Sequence, residues 1–238
     1  MGASLRPLGE SNSVRKIDSG LIREEMSDMA TSAVLTASET HAMKRAPVVE
    51  GVLPAIHERW SARSFDGREV SSATLKKVFE AARWAASSNN EQPWRFVVGR
   101  RGDATWKKIF ETLVGFNRTW AHRAPVLILG AAAMHFSKNG AENRFALYDL
   151  GAASSYLTLE AATLGLTTHQ MGGFDQEAAR KALGIPAEYA LGAVIALGYQ
   201  GEPTALGDDT LIERETTART RKAPGEMVFS EWGEPAEL

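Results

Sequence analysis

The chain has 238 residues, 44% of them hydrophobic and 24% charged, with a net charge of −2. That length suits one domain, alone or with an extension, and the near-neutral balance gives no general attraction to nucleic acid or to an anionic membrane. The absence of cysteine excludes disulfides, thiolate catalysis, iron–sulfur ligation and cysteine-based zinc sites, and it fits a reducing, cytoplasmic setting, which is the expected location.

Residues 1–45 are rich in Ser, Ala, Thr and Glu without sustained periodicity. They read as a mobile N-terminal extension with one short helix near residues 21–29. They lack the basic segment, apolar stretch and cleavage pattern of a secretory signal. A single domain is expected over 46–238, with order beginning near Val49. "VLPAIHERW" reads as a short helix carrying Val52, Ile56 and Trp60 on one face, followed by a turn at Asp66-Gly67. Ser71 or Ser72 then caps a helix in which Leu75, Val78, Phe79 and Ala82 keep the i, i+3, i+4, i+7 spacing.

That helix stops at a polar loop, "ASSNNEQPWRF", and "RFVVG" follows as a strand. Asp103 opens an amphipathic helix. "APVLILGAAA" reads as a buried strand, its apolar run too short to span a bilayer. Residues 141–164 form a long helix rich in Ala and Ser, stopped by Gly165. Its small residues suit a close helix contact, either inside one chain or across a subunit interface, with positions such as Ala153 and Ala161 at the contact. Asp175 and Gly184 bracket a further helix, and "YALGAVIALGY" is the last strand before a polar tail. Helices interleaved with few strands give an α+β reading.

Chemistry-bearing patterns are mostly missing. His41, His57, His122, His135 and His169 never pair at i, i+4, so no histidine metal motif arises and no metal is expected. No Gly-x-Ser-x-Gly elbow, phosphate loop or dinucleotide fingerprint occurs. What remains is Arg59, Ser61 and Arg63 in "RWSAR", and Arg219 with Arg221 in the tail. Arg219 and Arg221 share a face if their segment is extended. Such a set could bind an anion through paired guanidinium hydrogen bonds, or simply solvate the surface.

The segments "ERWSARSFDG" and "AARWAASSNNEQPWRFVV" resemble the start of the nitroreductase family of FMN-dependent oxidoreductases. "YDLGAASSYLTLEAATLGLTTHQMGGFD" is similar to that family's long central helix and the Gly-Phe turn after it. "VIALGY" and "ARTRKAPGEMVF" resemble its closing strand and basic tail. Four ordered motifs over roughly residues 50–230 make the resemblance specific. It implies an α+β, nitroreductase-like FMN-binding fold, with a central antiparallel or mixed sheet flanked by helices, in an intertwined homodimer holding FMN at two interface sites.

The resemblance also implies roles. Arg59, Ser61 and Arg63 would hold the FMN phosphate and the pyrimidine edge of the flavin, with Trp60 beside them. Arg219 and Arg221 would clamp the phosphate. Ala86, Ser87 and Asn90 would reach the flavin from the other subunit, which explains a polar loop between an apolar helix and an apolar strand. Gln170, Met171, Gly172 and Gly173 would lie along the ring, and Asn117 near the pyrimidine. Ala86 stands where the family usually has Pro, and Trp60 where it often has Arg or His.

The implied reaction is hydride transfer from NAD(P)H through the flavin to an electron-poor acceptor such as a nitroaromatic or quinone. The cofactor carries that chemistry, so no side-chain nucleophile or metal ligand is required. Arg63 and the Gly172 backbone would tune the flavin. The alternatives on the same fold are reductive dehalogenation, flavin fragmentation, or a flavin-holding protein without turnover.

Overall fold

A computed structural model describes Met1 and residues 34–237; the helix expected near 21–29 lies outside the described residues. Order begins earlier than Val49. Helix α1 (Ala37–Lys44) is started by a capping box, with the Thr36 hydroxyl accepting from the Glu39 N–H and the Glu39 carboxylate accepting in return. It buries Thr40 and Lys44, so the part of the supposed extension after residue 36 belongs to the domain. Helix α2 (Pro54–Glu58) turns Ala55 and His57 inward. Val52 and Ile56 are exposed while Trp60 is buried, so the three do not share a face, because the helix ends before Trp60 and the chain becomes extended at Arg59.

Helix α3 (Ser72–Arg83) is capped by the Ser71 hydroxyl and buries Leu75, Val78 and Ala82, as its periodicity requires. Strand β1 (Trp94–Arg100), helix α4 (Ala104–Thr112) capped by Asp103, and a short α5 (Phe116–Ala121) lead into strand β2 (Val126–Ala133). Helix α6 (Ala146–Thr163) starts later than expected. The five residues before it pair back on the chain leaving β2, with the Asn143 N–H bonded to Met134 O at 2.8 Å and the Phe136 N–H to Ala141 O at 2.8 Å. Gly165, at φ +71°, ends the turn beyond it, a conformation that favours glycine.

Strand β3 (Thr167–Met171), helix α7 (Gln176–Leu183) between Asp175 and left-handed Gly184, and strand β4 (Tyr189–Gly198) follow. The tail adds helix α8 (Asp209–Thr216) and a small hairpin of β5 (Phe229–Glu231) and β6 (Glu234–Pro235). Strand β3, α8 and the hairpin were not legible in the sequence pattern. The main sheet has the order β1-β2-β4-β3 with every neighbour antiparallel.

Both faces of that sheet are covered, which is why β2 and β4 are apolar on both sides. On one face Leu127 and Leu129 pack with Trp106, Ile109 and Trp120. On the other Val126 and Ile128 pack with Val78, Leu150 and Leu157. Helix α6 approaches closely: a Cβ on Gly192 would lie 2.7 Å from the Leu150 side chain, so glycine there admits the helix.

Candidate functional site

The chain leaves α2 in an extended path through Arg59, Trp60, Ser61, Ala62 and Arg63, and the tail after α8 returns alongside it. The Arg219 guanidinium donates to Arg59 O at 2.9 Å and to His57 O at 3.4 Å. Arg59 donates to the Ser61 hydroxyl at 3.4 Å, and Arg221 only to the neighbouring Thr220 O at 2.7 Å. Among the described residues no carboxylate pairs with any of these three arginines. Burial, and then Arg221, pushes the Arg59 guanidinium below its usual range. Burial, Arg59 and Arg221 do the same to Arg219. The three line a cavity of about 460 Å³ together with Ile56 and Leu159. Crowded like charges without a counter-charge are unfavourable, so the arrangement suits an anion.

Arg63 lies further along the same segment. Its own N–H donates to both oxygens of Glu215, at 2.9 and 3.0 Å, and the Ser64 N–H donates to Glu215 at 3.0 Å. The guanidinium Nη1 stands 3.9 Å from the same carboxylate, while its Nε is buried with no protein partner among the described residues. Two cations stand over the Phe116 ring, Arg63 at 5.7 Å and Arg214 at 4.6 Å from its centroid. Glu215 is fully buried, and burial pushes its carboxyl up against the opposing pull of the Ser64 and Arg63 N–H groups.

The end of β3 meets this segment. His169 Nδ1 stands 3.0 Å from Ala62 O, which assigns the proton to Nδ1, and its ring is 4.6 Å from that of Trp120. Burial, and next the Arg63 charge, lowers His169 to about 4, so it is neutral at pH 7. Gln170 is turned onto α6, donating to the Thr158 hydroxyl at 3.2 Å, and the Met171 side chain is in the core. Beyond them the Gly172 backbone is exposed. Asn117 donates to Gly173 O at 3.1 Å, and a Cβ on Gly173 would lie 2.7 Å from the Asn117 amide nitrogen, so this contact needs glycine.

Trp60 is turned inward. It is buried, 4% exposed, with its N–H given to His41 at 3.4 Å and Lys44 Nζ 5.3 Å from its ring. It does not line the arginine cavity; it borders a second one of about 300 Å³ with His41, Arg59, Thr168 and Gln200.

The loop holding Ala86, Ser87 and Asn90 is strained. Asn89, Asn90 and Gln92 have φ of 53°, 56° and 52°, a region costly for residues other than glycine and least so for Asn. Asp149 secures it by accepting the Ser88 N–H at 3.0 Å, and the Ser87 hydroxyl accepts the Gln92 N–H at 3.0 Å. Asp149 is near the start of α6, whereas Leu159, near its end, borders the arginine cavity. About ten residues of helix separate them, roughly 15 Å. Within one chain the structure therefore does not bring this loop to the arginines.

Helix α6 exposes Tyr148 and Tyr156 on its outward side, and Val52, Leu53 and Ile56 near α2 are exposed as well. Ala153 and Ala161 are not on it; both are fully buried inside the chain's own core. Among the described residues no helix is long and apolar enough to cross a membrane, and no group of three or more His, Asp or Glu is placed to hold a metal ion.

Sequence reasoning missed Glu215, Lys44, His169 and Asp149. None is marked by a motif spacing of its own, and only burial against distant segments distinguishes it.

A family model described as Nitroreductase family matches residues 56–116 and 104–199. An NADH dehydrogenase from Thermus thermophilus is 30% identical over 187 residues, covering 66% of this chain and 89% of that protein. A crystal structure described as an oxidoreductase containing FMN superposes with a TM-score of 0.73 at 32% identity, covering 78% of this chain and 94% of that one. The structure of a Desulfovibrio desulfuricans protein in complex with FMN gives 0.62 at 26% identity, covering 77% and 98%.

Proposed function

Because the chain belongs to the nitroreductase family of oxidoreductases, we propose that it is a homodimeric FMN oxidoreductase. It would take hydride from NAD(P)H and pass it to a small electron-poor acceptor such as a nitroaromatic or quinone. The observation that carries this reading is the unneutralised Arg59–Arg219–Arg221 cluster at one end of the Ser61–Arg63 segment, with the Gly172–Gly173 backbone packed on Asn117 near its other end. The presence of FMN in two similar structures supports it, as does the name of the Thermus relative.

The residues fit the cofactor on their own chemistry. A phosphate dianion would meet Arg59, Arg219 and Arg221, whose charges have no carboxylate to answer them. The buried, unpartnered Nε of Arg63 offers a donor to the pyrimidine edge of a flavin. The open Gly172 backbone, with nothing within 4 Å of where a Cβ would stand, allows an aromatic ring to approach there. FMN, when bound, supplies the hydride-carrying chemistry. The chain's part is to orient the ring, to exclude water, and with Arg63 to place a positive charge where negative charge grows on reduction.

Pairing two copies accounts for the rest. A two-fold contact across the outward face of α6 would bury Tyr148 and Tyr156. It would also carry Ala86, Ser87 and Asn90 of the second copy toward the arginine end of the first.

The test is direct. Purified protein should be yellow or take up FMN stoichiometrically. Anaerobic NADH or NADPH should bleach it, and a quinone or nitroaromatic should restore the colour. A protein that remains colourless in excess FMN would overturn the reading, and one that binds FMN but is never bleached by either nucleotide would reduce it to a flavin holder.

A further inference from the structure

Resting on the flavin reading above, we propose that Glu215 is a positioning residue that aims Arg63 at the flavin, and that Lys44 makes helix α1 part of the same site. Glu215 holds the peptide on both sides of the Arg63 Cα, through the N–H groups of Arg63 and Ser64. A fully buried carboxylate is costly unless its oxygens are bonded, and this one spends its bonds on the backbone that carries Arg63. Its nearest approach to the guanidinium is 3.9 Å, to Nη1. The Nε donor of Arg63 therefore stays without a protein partner and available to a ligand.

Lys44 completes the arrangement. It is 6% exposed and donates to Arg214 O, the carbonyl preceding Glu215 in the last turn of α8, at 3.0 Å. The capping box of α1 fixes the helix that delivers it. Residues 37–44 precede position 56, where the family match begins. A segment outside the matched region thus fastens the turn that carries Glu215 behind Arg63.

A double-mutant cycle on the full-length apoprotein tests this, because coupling is measured separately from general damage. FMN and riboflavin are titrated into wild type, Glu215→Gln, Arg63→Met and the double variant. If Glu215 acts through Arg63, Glu215→Gln weakens both ligands by about tenfold, a loss of about 1.4 kcal/mol. In the Arg63→Met background it weakens them by less than about twofold. Lys44→Met should give the same pattern at about threefold, rescued by Lys44→Arg, and this second cycle decides alone if Glu215→Gln fails to fold. An equal factor in both backgrounds, or a loss confined to FMN, would overturn the proposal while leaving the flavin reading intact. Wild-type protein that binds neither ligand would overturn both.

Discussion

Arg221 offers the cleanest perturbation of the anion site. Its guanidinium bonds only the adjacent Thr220 carbonyl, so Arg221→Ala removes a charge without unfastening another segment. Arg219→Ala, by contrast, would also release Arg59 O and His57 O. A hydrogen bond to a charged group contributes about 1.5–3 kcal/mol. Arg221 is solvent-exposed, which places its contribution near the low end through screening. About 1.5 kcal/mol is roughly a tenfold loss of FMN affinity. Riboflavin, which lacks the phosphate, should bind wild type and variant equally. The assay is fluorescence titration of apoprotein with each ligand at two salt concentrations, and FMN affinity should be less salt-sensitive in the variant. Equal FMN affinity in the two proteins, or equal losses for FMN and riboflavin, would refute the assignment of this cluster to the phosphate.

Four further outcomes are expected. Ser155 is exposed on α6, so Ser155→Glu should leave the fold intact but give a monomer by light scattering that no longer retains FMN. Ala153→Glu should instead unfold the chain, because Ala153 is 0% exposed and an unpaired charge would enter its core. Asp149→Ala should free the strained 86–92 loop, seen as faster amide exchange at Ser88, and weaken FMN retention by several-fold through loss of a charge-assisted bond of about 1.5 kcal/mol. His169 is lowered from 6.5 to about 4, so the unfolded chain binds its proton more readily. Its contribution is therefore complete above about pH 6.5 and is lost as pH falls toward 4, by at most about 3 kcal/mol. Urea unfolding of wild type and His169→Gln between pH 7.5 and 5 should show the smaller pH slope in the variant.

Much of this protein is local and so was written in the sequence. Ser71 and Asp103 cap their helices because a short side-chain oxygen meets orphan N–H groups one turn on. Gly184 and Gly165 end segments because they accept left-handed φ. Val126–Ala133 forms an inner strand because it is apolar on both faces. The four motifs also pointed to the family, since each is a contiguous stretch of sequence. What tertiary structure decided is where charges meet. Lys44 and Glu215 are 171 positions apart, as 215 − 44 gives, and each lies on a largely polar helix that reads as solvated. The outward side of α6 could not be read from an Ala-rich helix, where Ala153, buried, and Gly151, exposed, are equally small. Strand β3 was missed because "TTHQM" has little apolar pattern and gains its place by pairing with β4. Local propensity fixes elements through contacts one turn or one strand neighbour away. The desolvation that turns a glutamate and a lysine into parts of a site exists only once distant segments exclude water together.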